Sequence, residues 1–197
     1  MTETSERKLV RYVGRVYDSV RWDGFDPRPD DIIISTPPKC GTTWTQMICA
    51  LLIQQTPVLS DRLSNLSPWF DMQTRSRKQV VALLEAQTHR RFIKTHTPLP
   101  GIPLREGVTY ICVGRDPRDV ALSMDDHLAN MDWDGFHAQR VAAARDDGLP
   151  EPEKFAPPPL HQLTDRERFW RWVDDDTPPE EASSGLVRTV RHIESFW

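Results

Sequence analysis

Lys39, Gly41, Thr42 and Thr43, in the run Pro37-Pro38-Lys39-Cys40-Gly41-Thr42-Thr43-Trp44, have the types and order of an anion cradle. A β-branched stretch, Ile32 to Ile34, leads into this turn and a helical pattern leaves it. At such a junction the loop N–H groups and the positive end of the helix dipole face a phosphate, and a lysine adds a full charge. In the usual nucleoside-triphosphate loop a glycine stands immediately before the lysine. Here Lys39 precedes Gly41, and Pro37 and Pro38 stand in place of an opening glycine. Proline stiffens the loop, Gly41 lets backbone approach an oxyanion, and the two threonines offer hydroxyl and N–H donors. The competing reading is an ordinary strand-to-helix turn with a surface lysine. Trp44 is either a core residue of the apolar helix face or an aromatic ring placed to stack on a base.

Two further groupings carry chemistry. Lys94 and His96 are two residues apart in the short stretch RFIKTHTP, so in a strand both project from one face. A histidine is a natural base for an alcohol or phenol proton, and an adjacent lysine neutralises charge on a transferring group. Their like charges keep His96 unprotonated. In YICVGRDPRDVALSM, Arg115 stands at a strand's carboxyl end and Ser123 about two turns into the next helix. An arginine fork there suits a phosphate monoester, with the serine as a further donor. The alternative for Arg115 is an ion pair with Asp116 or Asp119. Asp116 is placed to cap the helix, with Pro117 at its first position, or to hold magnesium as in a kinase. Arg118 reads as a solvated helix residue.

The elements that must position these residues alternate. Asp31 to Thr36 reads as a strand, and a helix begins near Gly41 with Trp44, Met47, Ile48, Leu51 and Gln55 at helical spacing, ended by Pro57. Arg77 to Gln87 has helical composition. Val108 to Gly114 reads as a buried strand, and the helix after Asp116 carries Val120, Met124 and Leu128 on one face. Strands and helices in this order imply a parallel sheet covered by helices. Residues 1–30 form a charged lead-in with Tyr12, Val13, Val16, Tyr17 and Val20 at near-helical spacing. Residues 31–131 form the core of one domain spanning 1–197, and residues 132–197 a loop and helical segment. In that segment LPEPEKFAPPP is a loop, HQLTDRERFWRWV and LVRTVRHIESFW are helical, and the acidic runs Asp174–Asp176 and Glu180–Glu181 belong to a solvated linker. The loops Ser60–Arg77 and Asn130–Pro159 are expected to line an acceptor pocket, with Trp69, Phe70, Trp133 and Phe136 as its walls or as core.

Composition limits the function classes. With 197 residues, 38% hydrophobic and 27% charged, the chain suits one globular domain that buries roughly 70% of its unfolded surface. A net charge of -4 argues against a general nucleic-acid binder. Cys40, Cys49 and Cys112 lack metal-ligand spacing and read as core thiols of a reducing compartment. The first residues lack the apolar core of a signal peptide and no stretch is long enough to span a bilayer, so a cytoplasmic protein with no membrane association is expected.

Taken together, the three segments resemble the cytosolic-type sulfotransferase family. PPKCGTTW is similar to its 5′-phosphosulfate loop, RFIKTHTPLP to its catalytic-histidine strand and YICVGRDPRDVALSM to its 3′-phosphate segment, in matching order and separation. The resemblance covers roughly residues 20 to 130, including WDGFDPRPDDIIIST. It implies a P-loop-like α/β/α sandwich with a central parallel sheet. It also implies 3′-phosphoadenosine 5′-phosphosulfate as co-substrate, no metal, and a small-molecule hydroxyl acceptor. In that family's terms Lys39 contacts the 5′-phosphosulfate, while Cys40 (often serine in the family), Gly41, Thr42 and Thr43 cradle it, and Trp44 stacks on adenine. Lys94 stabilises the sulfuryl group, His96 takes the acceptor's proton, and Arg115 with Ser123 holds the 3′-phosphate. The family's later segments, an adenine-contacting aromatic, a basic glycine-containing loop and often a dimerisation segment, are not found before Trp197. The chain is therefore expected to be C-terminally incomplete, with a homodimer left open. Two rival readings remain: a magnesium-dependent nucleotide kinase using Asp116, and a non-catalytic nucleotide-binding relic.

Overall fold

The computed structural model describes residues 7–154 and 162–197. Three parallel strands form its centre: β1 (Ile32–Ser35), β2 (Phe92–Thr95) and β3 (Thr109–Ile111), in spatial order β2-β1-β3. Ile32 pairs with Phe92 on one side and Thr109 on the other, so β1 is hydrogen-bonded along both edges. Its near-continuous isoleucines follow from that position, because a central parallel strand is covered on both faces. Ile33 and Ile93 point to one face, where they pack with Trp22, Phe70, Val80, Leu84 and Ile102. Ile32, Ile34 and Phe92 point to the other, against Cys49, Ala50 and Leu66. Each fully buried side chain of this size contributes about 1.5–3 kcal/mol. Arg91 and Asp31, both buried, pair at the start of the strands, with Arg91 Nε donating to Asp31 Oδ1 at 2.7 Å.

Helices cover both faces, giving the α/β/α sandwich expected from the alternating pattern. α1 (Thr42–Gln54) and α2 (Leu63–Leu66) lie on one side and α3 (Arg77–Glu85) on the other. α1 stops before Pro57: Gln55 takes φ 53° and its N–H bonds to the Leu51 carbonyl at 2.9 Å. α4 (Pro117–Ala129) opens with Asp116 as N-cap and buries Val120 and Met124. α5 (Trp133–Asp147), α6 (Asp165–Val173) and α7 (Leu186–Glu194) complete the chain. Among the described residues, no helix is long and apolar enough to cross a membrane.

Several sequence expectations are corrected. The lead-in is not helical. Gly14 and Asp18 break the spacing, Val13 bridges Asp18, and only a short 3-10 turn, Ser19–Trp22, forms under an Asp18 cap. Its aromatics, Tyr12, Tyr17 and Trp22, are buried because the segment lies across the core. β3 is shorter than Val108–Gly114 and is not buried: Thr109 is exposed and Tyr110 and Ile111 half-buried. It pairs only with β1 among the described residues, and a strand at a sheet edge loses one flank of cover. Cys112, just beyond it, is half-buried rather than core.

The expected loop Asn130–Pro159 contains the four-turn helix α5, started by the Asp132 side chain accepting from Gly135 N (2.9 Å) and ended at Gly148 with φ 71°. Its C-terminal aspartates reach the start of α3, where Asp147 accepts from Arg77 N at 2.8 Å, favourable for a carboxylate at a helix N-terminus. The expected proline-rich loop lies outside the described residues from position 155 on. The acidic runs are solvated as expected, with Asp174, Asp176, Glu180 and Glu181 exposed, while the backbone of the linker is tied to the lead-in: Val13 N bonds to Glu180 O (2.6 Å) and Tyr17 Oη to Ala182 O (3.1 Å).

Candidate functional site

The carboxyl ends of β1 and β2 open into a cleft of about 840 Å³. Lys39, Gly41, Thr42, Thr43 and Trp44 line it from the β1–α1 turn, Lys94 and His96 from the end of β2, Arg115 from just before α4 and Ser123 from the second turn of α4. A cleft outside the carboxyl ends of parallel strands is where open α/β sheets place ligands.

The turn owes its shape to two left-handed residues. Lys39 has φ 66° and Gly41 φ 86°, and Gly41 forms the N-cap of α1 without a side-chain bond. The first N–H groups of α1 therefore stay available to an anion. Thr36 and Thr42 tie strand to helix through their hydroxyls at 2.5 Å. Trp44 is 78% exposed, which removes the core alternative for it. Cys40 behaves differently from the other loop residues. Its side chain is buried with Val120, Ala121 and Trp172, its N–H bonds to Pro37 O at 3.3 Å, and it does not line the cleft. Burial pushes its thiol up to about 11.

His96 lies one residue past the end of β2 and is buried. Its Nδ1 is 2.7 Å from the Thr36 carbonyl oxygen, which only accepts, so Nδ1 carries the proton and the neutral ring keeps its lone pair on Nε2. Burial first, and then the charge of Lys94, hold its pKa well below the usual 6.5. Burial also lowers Lys94, to about 8; Asp71 opposes that shift and Lys39 adds to it. The Lys94 ammonium sits 4.3 Å from the centroid of the Trp69 ring, and that ring meets His96 edge-on at 4.5 Å. His127 of α4 also lines the cleft, and its pKa is lowered by burial, Lys39 and Lys94.

Arg115 is tied to the turn, with Nη1 donating to the Lys39 carbonyl at 3.3 Å, and is 3.6 Å from Asp119. This ion pair is exposed and weak. Asp116 instead caps α4, accepting from Arg118 N at 2.9 Å, and pairs with the Arg118 side chain at 2.6 Å. It does not line the cleft, so the kinase reading loses the ligand it needs. Of the proposed walls, Phe70 and Phe136 are core, whereas Trp69 and Trp133 line the cleft.

Three buried residues at the site escaped the sequence reading. Asp71 accepts from Trp69 Nε1 at 2.6 Å and from Thr95 Oγ1 at 2.5 Å. Arg188 of α7 donates through Nη2 to the His96 carbonyl (2.9 Å) and to Tyr17 Oη (3.0 Å). His192 lies 2.9 Å from Ser35 Oγ, and burial lowers its pKa to about 3. These partners are up to 171 residues apart, so no local pattern announces them.

Residues 29–179 match the sulfotransferase domain family. A glycolipid sulfotransferase of Mycobacterium bovis is 45% identical over 174 residues, 86% of this chain and 52% of that protein. The chain spans about half the length of the curated relatives that it matches over most of its own length. Among solved structures, a mouse sulfotransferase, SULT7A1, complexed with PAP aligns with a TM-score of 0.55 at 19% identity, covering 90% of this chain and 50% of that one. A retinol dehydratase in complex with retinol and PAP gives 0.53 at 20% identity, covering 90% and 53%. At these identities the likeness is one of fold.

Proposed function

The chain belongs to the sulfotransferase family, and we propose that it transfers a sulfuryl group from 3′-phosphoadenosine 5′-phosphosulfate to a hydroxyl of a small-molecule acceptor. One observation carries this reading: three cations, Lys39, Lys94 and Arg115, and a histidine with its lone pair on Nε2 share one cleft. The PAP in the complexes of the two similar folds supports the same donor class. The residues fit such a donor, because the α1 N-terminus is uncapped by any side chain and a Cβ at Gly41 would come no nearer than 4.0 Å to Val113.

The donor supplies the sulfuryl group, and the chain's residues do the rest. N–H groups of Gly41, Thr42 and Thr43 hold the 5′-phosphate, and Trp44 offers its exposed ring to the adenine. Arg115 and Ser123 hold the 3′-phosphate. His96 Nε2 accepts the acceptor's hydroxyl proton as the oxygen attacks. Lys94 and Lys39 stabilise the negative charge that spreads over the transferring and departing groups. Catalysis of this kind is mostly positioning and electrostatics. Trp69, Trp133, Met72, Met124, Leu128 and Met131 give the acceptor side an apolar wall, which suits an amphipathic alcohol. The Mycobacterium relatives named as glycolipid sulfotransferases point the same way. A cytoplasmic setting belongs to the same reading, in keeping with three unpaired thiols.

The test is the pH profile of sulfuryl transfer. Lys94 works as a cation, and its pKa of about 8 in the free protein makes kcat/KM fall above that pH. His96 works neutral and stays so, since its pKa lies well below 6.5, so no acid limb appears near neutrality. Lys94→Arg removes the alkaline limb while lowering the rate, because guanidinium stays charged. An acid limb centred near 6.5, or an alkaline limb retained in Lys94→Arg, contradicts these assignments.

A further inference from the structure

Asp71 is fully buried, and no cation lies within ion-pairing reach of it among the described residues. Four donors converge on it instead. Oδ1 accepts from Trp69 Nε1 (2.6 Å), and Oδ2 accepts from Trp22 Nε1 (3.2 Å), Thr95 Oγ1 (2.5 Å) and Thr97 Oγ1. Thr97 N in turn donates to Thr95 Oγ1 at 2.9 Å. An unpaired carboxylate is costly to bury, and acceptance of several hydrogen bonds is what makes it tolerable. Neither indole N–H can accept, so the group between them must accept on both sides. A carboxylate meets that demand; an amide would present a donor to one indole.

What these bonds hold is the reacting pair. Thr95 and Thr97 flank His96 in the chain. Trp69 is the plate that carries the Lys94 ammonium at 4.3 Å and meets the His96 ring at 4.5 Å. The backbone is fixed in the same place, since Lys94 N bonds to Pro68 O (3.1 Å) and Phe70 N to Lys94 O (2.9 Å). Two charges act on Lys94, Asp71 behind the ring, which raises its pKa, and Lys39 of the turn, which lowers it; His96 and His127 are the neighbours that Lys94 itself pushes down. Asp71 is the single anion among them.

We propose that Asp71 is a positioning residue of this site: it locks the Trp69 ring, and with it the seat of the Lys94 ammonium, and the threonines on either side of His96. The inference rests on the reading of Lys94 and His96 as the reacting pair, but its test does not depend on turnover. Nitrogen-labelled lysine, with the Lys94 resonance assigned by Lys94→Arg, gives the titration midpoint of Lys94 in the parent and in Asp71→Asn. The midpoint is expected to fall by at least about half a unit, as loss of a nearby opposite charge requires. A folded Asp71→Asn with an unchanged midpoint overturns the proposal, because a purely structural role leaves Lys94 unmoved. Should Asp71→Asn fail to fold, Trp69→Phe keeps a ring under Lys94 and cuts its tether. There the midpoint moves in the same direction, and an unmoved one again overturns the proposal. If the midpoints move as stated but the parent transfers no sulfuryl group to any hydroxyl acceptor, the functional reading fails and the positioning role stands.

Discussion

His96→Ala is expected to lower sulfuryl transfer by about 10²–10⁴-fold, the range for loss of a positioned general base, with binding of 3′-phosphoadenosine 5′-phosphate close to that of the parent. The separation follows from the geometry. His96 is not one of the turn residues assigned to the phosphates; it lies at the end of β2 with Nδ1 anchored on Thr36 O. Its loss removes the bond to Thr36 O but is expected to leave the β1–α1 turn in place, since the Thr36–Thr42 hydroxyl contact and Arg115 on the Lys39 carbonyl still hold it. Steady-state kinetics and calorimetry on one preparation check both halves. Transfer at the parent rate places the base elsewhere.

Lys39→Met is expected to weaken both quantities: transfer by about 10²–10³-fold, as for loss of one preorganised stabiliser of developing charge, and affinity for the doubly phosphorylated nucleotide along with it. Methionine keeps the length of the stem and removes the charge. Lys39 lines the cleft beside the uncapped start of α1, so in the proposed site its ammonium would add to the loop N–H groups on the same anion. Lys39→Arg restores the charge but not the compact ammonium, and recovers part of the binding rather than all of it. Calorimetry on the two variants checks this. Parent affinity in Lys39→Met removes Lys39 from the phosphate site.

The contrast between these two residues and Asp71 shows what the sequence could convey. Lys39, Lys94, His96 and Arg115 sit where strands end and helices begin, with Ser123 two turns into α4, and strand-ending and helix-starting signals are local: a run of isoleucines, a glycine after a lysine, an Asp-Pro pair at the start of α4. Placing the residues at those junctions was enough to bring them to one cleft. Asp71 stands in a mixed polar stretch, and nothing local separates a solvated aspartate from one that gathers donors from Trp22, Thr95 and Thr97. Arg188 and His192 escape for the same reason: their partners, His96 and Ser35, lie 92 and 157 residues away in the chain.

Fold elements divide along a similar line. β1 was legible because both its faces and both its edges are covered, so isoleucines fill its first three positions. β3 has a comparable sequence in an edge position, where half-exposure cannot be read from composition. α5 was missed because Gly135, Arg140 and a run of alanines blur its apolar period. Its boundaries were nonetheless written in Asp132 and Gly148, and its end is fixed by contacts with α3.

The most direct test of a site for a doubly phosphorylated sulfate donor is calorimetry of the chain with 3′-phosphoadenosine 5′-phosphate in the absence of magnesium. Saturable binding is expected, weaker for adenosine 5′-phosphate, which lacks the group assigned to Arg115 and Ser123. At a ligand concentration 100 times its dissociation constant, binding to the folded state should add about 2.7 kcal/mol of stability. No heat and no thermal stabilisation, or a preference for ATP that requires magnesium, would contradict the account.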